Sequence, residues 1–495
     1  MKDLWKPDPR IYMLLGVLSL VSSAGYVYIS WLTYRIGFPL DDAWIHQTYA
    51  RNLALYGEWA FTPGQPSAGS TSPLWSILLA LGHFIGLGPH IWTYLLGWLS
   101  LWGVAIAGLW MFSKLQPASN RMMALLAGAL LVAEWHLVWA AVSGMETALF
   151  SLIVLAIFTM LIAHNQNWII LGGLIGLSIW VRPDGLTLLA PALLVCIMQA
   201  SSNYQRVSRI MLLAVGFSLL FSPYLLWNRM LSGVIWPNTF YAKQAEYAVE
   251  LLEPLGKRLL EQATLPNIGF GFLLIPGFIF LFYRSFRHRN WGVVAGSFWI
   301  IGYLVVYALR LPVSYQHGRY VIPMMPPYFL WGLAGTTSLF LWNSPILWRR
   351  VLSKAWLVSV GLLCITFWYL GAQAYGRDVA FIESEMVATS RWIEEYTEPD
   401  VLIGAHDIGA LGYFGGRRIL DMAGLVSPEV IPFIRDEAQL DKWLTKENAD
   451  YLVTFPSWYS ELTQGLETVY QTGGKYSQAF DGENMVVYRW DLRIR

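Results

Sequence analysis

Long apolar runs, each near twenty residues, recur through the first three quarters of the chain and are separated by short polar stretches. A helix crossing the hydrocarbon core of a bilayer needs about 20 such residues. The runs predict about eleven transmembrane helices, at approximately 11–34, 91–112, 122–141, 145–163, 168–182, 185–200, 210–230, 266–284, 290–309, 320–342 and 355–375. The first run follows Lys2, Lys6 and Arg10, as a secretory signal would. It is too long for a signal core and no small-x-small site closes it, so it reads as an uncleaved span. Residues 73–87 are also apolar. Counted as a span they would invert everything downstream, and they read instead as an interfacial or re-entrant helix.

Orientation follows the basic residues of the short loops. With the N-terminus in the cytoplasm, Lys114 and Arg121, Arg206 and Arg209, Arg284, Arg287 and Arg289, and Arg349, Arg350 and Lys354 all fall inside. The first extracytoplasmic loop is then 35–90. Asp41, Asp42, Glu146, Arg182, Asp184, Asn238, Lys243, His317 and Arg319 collect at span ends on the outer face. Ionisable groups at membrane depth are expensive and mark function, so their gathering on one face predicts a shared polar cavity.

From about residue 376 the pattern changes. Helix-like stretches at 380–397 and 438–448 alternate with strand-like Val401–Ala405, Tyr451–Thr454 and Met485–Trp490. This alternation predicts a small α/β domain outside the membrane. The expected fold class is therefore a polytopic α-helical membrane protein, with a transmembrane catalytic domain at 1–375 and an extracytoplasmic α/β domain at 376–495.

Composition agrees. Of the 495 residues 56% are hydrophobic and 13% charged, against about 25% charged in a soluble chain. The 26 Trp and 26 Tyr suit membrane–water boundaries. A net charge of +1 argues against nucleic-acid binding. Cys196 and Cys364 lie in apolar runs and read as buried thiols.

Several strings are candidates for chemistry. In the first loop, Asp41 and Asp42 are adjacent carboxylates suited to taking a proton from an attacking hydroxyl, although Asp41 also stands where a helix N-cap would. Asp42 and His46, four apart, have the spacing of divalent-cation ligands. Thr71 and Ser72 belong to a turn-rich run, 64–73, that suits either a sugar site or a surface loop. Ser143 to Glu146 has capping-box spacing. In Arg182-Pro-Asp-Gly185, Asp184 suits a helix cap and Arg182 suits snorkelling to headgroups. Asn238 and Lys243 follow one span directly, and His317 and Arg319 lie between two others. The two cations suit a phosphate, whether of a lipid-linked substrate or of headgroups. Gly404-Ala-His-Asp-Ile-Gly-Ala-Leu-Gly412 lacks the G-x-G-x-x-G spacing, and no Lys-Ser/Thr follows Gly409, so no nucleotide cofactor is expected.

Taken in order, Asp41-Asp-Ala-Trp-Ile45, Tyr49-Ala-Arg-Asn-Leu53, Thr71-Ser-Pro-Leu-Trp75, Ser143-Gly-Met-Glu-Thr-Ala-Leu-Phe150, Arg182-Pro-Asp-Gly185, Pro237-Asn-Thr-Phe-Tyr-Ala-Lys243, Asp407-Ile-Gly-Ala-Leu-Gly-Tyr-Phe414 and Leu420-Asp-Met-Ala-Gly-Leu425 resemble the pattern of the actinobacterial terminal arabinofuranosyltransferases, a branch of the GT-C superfamily. The resemblance implies a polyprenyl-phosphate-linked sugar donor and an inverting single displacement onto a cell-envelope glycan, lipid or protein acceptor. It implies Asp41 as base with Asp42 as its support or metal contact. Lys243, Arg319 and His317 would face the donor phosphate; Glu146, Arg182, Asp184, Asn238, Thr71 and Ser72 would line the sugar or acceptor cavity. Members usually carry Glu where this chain has Asp184, and Leu where it has Met145. The competing readings are a transporter or flippase of lipid-linked sugars, which would want midplane charge and an internal repeat, and a non-catalytic glycan-binding membrane protein. The expected partners are the bilayer of the cell membrane, the lipid-linked sugar and a glycoconjugate.

Overall fold

The computed structural model describes residues 8–117, 119, 121–163, 166–339, 346–479 and 482–490. Lys2, Lys6 and the end of the run predicted at 320–342 lie outside them. Among the described residues five helices are long and apolar enough to cross a membrane: Pro9–Thr33, Pro89–Leu115, Asn203–Ser232, Trp291–Arg310 and the stretch Arg350–Tyr396. Two bent pairs raise the number to seven at most: Arg121–Ala133 with Trp135–Val142 (57°), and Leu255–Asn267 with Gly271–Arg287 (91°). Of the four other expected spans, three are helices too short for that measure, Thr147–Ile162, Trp168–Val181 and Pro183–Met198, and the fourth, Met325–Leu339, is followed to the edge of the described residues.

The reasons for the shortfall are local. Pro183 and Gly185 divide the apolar stretch after Trp168 through a tight 3₁₀ turn. Thr147–Ile162 is walled in by other helices, with Phe150, Val154, Ile157 and Phe158 buried, so its length is set by its neighbours. The bend in the run predicted at 122–141 falls at Glu134, whose carboxylate caps the second half by accepting the Leu137 amide at 2.9 Å.

Helices approach closely where small residues let them. A Cβ on Gly172 would stand 2.1 Å from the Leu213 carbonyl, and one on Gly216 would stand 2.1 Å from that of Ile169. The helices Trp168–Val181 and Asn203–Ser232 therefore touch backbone to backbone. On the outside of the bundle, Leu219 (71% exposed), Met230 (86%) and Ile365 (70%) face outward where only lipid suits them. The protein is a multi-pass membrane protein.

Two segments position the site. The first loop carries the helix Asp42–Tyr56 and a small hairpin of β1 (Ala60–Thr62) and β2 (Gln65–Pro66), then the apolar helix Pro73–Phe84. The C-terminal tail continues from the helix Leu347–Ile382 through a π-helical turn at Glu383–Val387 into Ala388–Tyr396. It then forms strands β3 (Leu402–Ala405), β4 (Arg418–Asp421), β5 (Tyr451–Thr454), β6 (Glu467–Gln471) and β7 (Val486–Arg489), in the order β4-β3-β5-β7-β6. β3 runs parallel to β4 and β5; β7 is antiparallel to β5 and β6. The helix Glu437–Lys446 covers one face through Leu440, Trp443 and Leu444.

Tail and first loop are joined by specific contacts. Arg51 donates to the carbonyls of Tyr413 (2.5 Å) and Gly412 (3.2 Å). The Trp44 ring packs on Tyr413 and Phe414 at 4.9 and 4.6 Å.

Candidate functional site

A cavity of about 1060 Å³ lies where the first loop, the loops after Pro237 and Leu311, the helix Leu347–Ile382 and the tail meet. Asp41 and Asp42 both line it and do different things. Asp41 stands just before its helix but does not cap it. Its carboxylate instead accepts the amides of Gly409 (2.6 Å) and Ala410 (2.8 Å) from the tail. The approach requires glycine, since a Cβ on Gly409 would lie 2.0 Å from the Asp41 carbonyl oxygen. Burial and then the neighbouring Asp407 charge push the Asp41 carboxyl well above its ordinary range, against the pull of the two amides.

Asp42 is a fixed anion. Its Oδ2 meets Lys243 Nζ at 3.2 Å and Arg319 Nη2 at 2.5 Å. Burial works against the charge, but the two cations outweigh it and hold the carboxyl far below the usual range. The Tyr320 hydroxyl accepts from both cations at 3.0 Å. Arg319 Nε and Nη1 remain buried without a partner. A guanidinium carries five N–H donors and no acceptor, so two of its donor atoms are left unsatisfied by the protein.

The segment leading to Arg319 is strained. Gln316 (φ 53°), His317 (φ 57°) and Gly318 (φ 63°) are all left-handed, and each non-glycine residue there costs about 1–3 kcal/mol. Contacts at both ends hold the turn: Arg319 on Asp42, and His317 Nε2 on Asp378 Oδ2 at 2.7 Å. Trp139 donates to the same Asp378 oxygen at 3.0 Å, and the rings of Trp135 and Trp139 flank His317. His317 thus lines the cavity with its Nε2 committed to a carboxylate.

The remaining candidates sit behind the wall. Arg182 is buried, reaching Glu146 at 3.3 Å and Asp184 at 3.1 Å, and does not extend toward headgroups. Asp184 caps nothing; it accepts from Tyr307 at 2.7 Å and from Tyr303. The capping box does not form either. Ser143 ends the preceding helix and receives the Met145 amide, while Glu146 turns to Arg182. Ser72 donates to the Val181 carbonyl at 2.5 Å, next to half-buried Thr71. Asn238 donates to the Leu425 carbonyl at 3.2 Å and its amide to that of Ala68 at 3.2 Å. This ties the turn-rich run and the tail to the helix that carries Lys243.

Asp42 and His46 do not fit a metal. Asp42 is committed to two cations, and His46 Nδ1 meets Ser76 at 3.0 Å and Ser70 at 3.3 Å while Nε2 faces Glu146. Among the described residues no group of three or more His, Cys, Asp or Glu is placed to hold an ion.

Residues the sequence reading passed over complete the cavity. His406 and Asp407 follow β3 directly and line the cavity, and the Asp407 Oδ2 atom is buried with no partner. His406 pairs with the Tyr459 hydroxyl at 2.6 Å and with Glu246 at 3.3 Å. Burial and then the His406 charge set Asp407: burial wins and raises its carboxyl. A His-Asp pair at the C-terminal end of a parallel strand was the available signal, lost when the glycines after it were tested only as a nucleotide loop.

Residues 375–488 match the family model described as Domain of unknown function (DUF8728). No curated protein matches the chain in sequence. Its fold, however, recurs among solved structures. ArnT from Cupriavidus metallidurans bound to undecaprenyl phosphate is similar with a TM-score of 0.58 at 16% identity, over 95% of this chain and 97% of that one. The archaeal oligosaccharyltransferase AglB from Archaeoglobus fulgidus, in complex with an inhibitory peptide and a dolichol-phosphate, is similar with a TM-score of 0.61 at 11% identity, over 90% and 69%. The arabinofuranosyltransferase AftD from mycobacteria is similar with a TM-score of 0.54 at 14% identity, over all of this chain and 40% of that one. These neighbours are GT-C glycosyltransferases, and the chain has their fold.

Proposed function

We propose that the protein is an inverting glycosyltransferase that uses a polyprenyl-phosphate-linked sugar. One observation carries the reading: Arg319, paired with Lys243 around Asp42, keeps two buried donor atoms without partners on the same cavity as the tail-clamped Asp41. The donor phosphate sits on Lys243 and Arg319. Their charges stabilise the leaving phosphate more strongly as the glycosidic bond breaks, and removing one such donor typically slows chemistry about 10²–10³-fold. Asp42 orients both cations and keeps them from repelling each other before substrate arrives.

Asp41 is the base. Its raised proton affinity suits it to accept the hydroxyl proton near neutral pH, and the Gly409 and Ala410 amides fix its orientation while leaving each oxygen a further lone pair. The donor's lipid brings an activated sugar across the membrane, which a nucleotide sugar does not do. In this reading the apolar helices make about eleven crossings, the bilayer thinning around the shorter ones, with the N-terminus cytoplasmic and the tail outside. That the neighbouring structures are named with undecaprenyl phosphate and dolichol-phosphate supports the choice of donor.

The test is binding and transfer in proteoliposomes with a panel of polyprenyl-phosphate sugars. The wild type should transfer one of them with inversion at the anomeric carbon. Arg319→Gln should weaken undecaprenyl phosphate binding at least about tenfold. Retention of configuration, or unchanged lipid-phosphate affinity in Arg319→Gln, contradicts the reading.

A further inference from the structure

The cavity is chemically divided. Its donor part is cationic, built on Lys243 and Arg319. The part supplied by the tail is different: His406, Asp407, Trp458 and Tyr459 come from the tail, and Glu246 reaches it from the helix that carries Lys243. Here the carboxylates of Asp407, Glu246 and Glu437 stand with the cations His406 and Arg435, while Lys243, already paired with Asp42, lies close enough to act on Asp407 and Glu246. His406 and Arg435 are engaged too, His406 by Glu246 and Tyr459, Arg435 by the Glu246 carbonyl. Such a wall repels an anionic ligand and suits one rich in hydroxyl donors. Trp458 is 49% exposed, an unusual state for tryptophan. It is held in place against the rings of His406 at 5.3 Å and Phe455 at 5.1 Å. A flat apolar face beside a few fixed polar groups is what a small-molecule site offers.

We propose that this part of the cavity is the acceptor subsite, that it takes an uncharged sugar, and that Asp407 is an acceptor-binding residue. The assignment rests on the transferase reading and deepens it. The buried Asp407 Oδ2, which has no partner in the protein, accepts a hydrogen bond from an acceptor hydroxyl next to the one that reacts. Trp458 packs against a face of the sugar. Asp407 lies two residues before the Gly409 amide that holds Asp41, so one loop of the tail sets both the base and the acceptor. In the transfer itself, the acceptor hydroxyl oxygen bonds to the donor's anomeric carbon. The bond from that carbon to the lipid-phosphate oxygen breaks with its electron pair staying on phosphate, and the hydroxyl proton passes to Asp41. Asp407 neither gains nor loses a proton. An acidic glycan is disfavoured by the same charges.

The experiment measures two affinities of the full chain in detergent micelles: for a panel of uncharged methyl pentofuranosides and hexopyranosides, and for undecaprenyl phosphate. The wild type should bind at least one glycoside saturably. Asp407→Asn and Trp458→Ala should each weaken that binding at least about tenfold while undecaprenyl phosphate affinity stays within about twofold. Trp458 is half exposed, so its variant folds even if Asp407→Asn does not, and it then decides alone. No saturable glycoside binding by the wild type, or binding unchanged in both variants, overturns the subsite. Glycoside binding with the expected losses, but no transfer from any lipid-phosphate sugar, would uphold the subsite and sink the transferase reading instead.

Discussion

At the scale of single residues, two adjacent aspartates have been given opposite electrostatics. Asp42 faces Lys243 and Arg319 and stays ionised under all ordinary conditions. Asp41 is buried, faces Asp407 and Asp42, and is opposed only by two backbone amides. In the proposed mechanism, environments that push two carboxyls apart leave the fixed charge to Asp42 and the proton transfer to Asp41. The sign of the pH dependence follows. A base with a raised pKa is protonated at low pH, so turnover is lost as pH falls through that pKa and is full above it. Asp407→Asn removes a like charge and lowers the Asp41 pKa. At saturating acceptor, the acidic limb of the kcat profile should therefore move to lower pH. His406, Glu246 and Lys243 lie in the same cavity and set the background, so the shift is read against wild type in the same buffer series. An unmoved limb, or one moved upward, would show that Asp41 is not the titrating base.

Adjacent Asp41 and Asp42 were legible as a pair because two carboxylates at a predicted span end have few structural uses. Which one is clamped was not legible, since the partners come from residues more than 200 positions away for Asp42 and more than 360 for Asp41. The cap readings of Asp41, Asp184 and the Ser143–Glu146 string went astray for a common reason. Local spacing offers a capping bond of about 1 kcal/mol, but these buried carboxylates are satisfied by tail amides, an arginine or paired tyrosines, which the fold brings from elsewhere.

Among elements, the strands show the limit of pattern reading most clearly. β3, β5 and β7 form the middle of the sheet and are buried almost throughout, as their apolar runs suggest. β4 and β6 were not foreseen, and they are the two edges. Edge strands are short and polar on their open side, which removes the signal; Arg418 and Glu467 are both exposed. The expected eleven spans met a similar limit: apolar runs mark where helices are, but a helix enclosed by other helices need not span the bilayer. The loop Asp407–Ala410 is the element on which the site depends most. Gly409→Ala would force its backbone off Asp41, because the added methyl meets the Asp41 carbonyl and carboxylate at 2.0 and 2.7 Å. Transfer should fall at least about 100-fold, the size of a lost orienting contact, with thermal unfolding of the protein nearly unchanged. Near-wild-type transfer would mean that the clamp is not needed.

For the molecule as a whole, the tail is built into the site and not appended to it. It supplies the amides that hold Asp41 and part of the cavity wall, and Arg51 and Asn238 fasten it to the first loop and to the helix bearing Lys243. Behind the cavity, Arg182 pairs with both Glu146 and Asp184 in a buried cluster closed by Tyr303 and Tyr307. Breaking such a cluster from one side leaves uncompensated charge. Arg182→Met should cost about 3–5 kcal/mol of stability, visible as a marked drop in the midpoint of thermal unfolding in detergent. A change within about 0.5 kcal/mol would show that the cluster is not a structural support.

The central claim is that this cavity transfers sugar from a lipid phosphate with Asp41 as base. The most direct measurement is single-turnover transfer in proteoliposomes, comparing wild type with Asp41→Asn at saturating polyprenyl-phosphate sugar. The asparagine keeps the side chain's shape, and its Oδ1 still accepts one of the Gly409 and Ala410 amides although its NH2 group, a donor, cannot accept the other; folding and undecaprenyl phosphate binding should persist while transfer falls at least about 100-fold. Equal transfer by a folded, donor-binding Asp41→Asn protein would contradict the account and remove Asp41 from the chemistry.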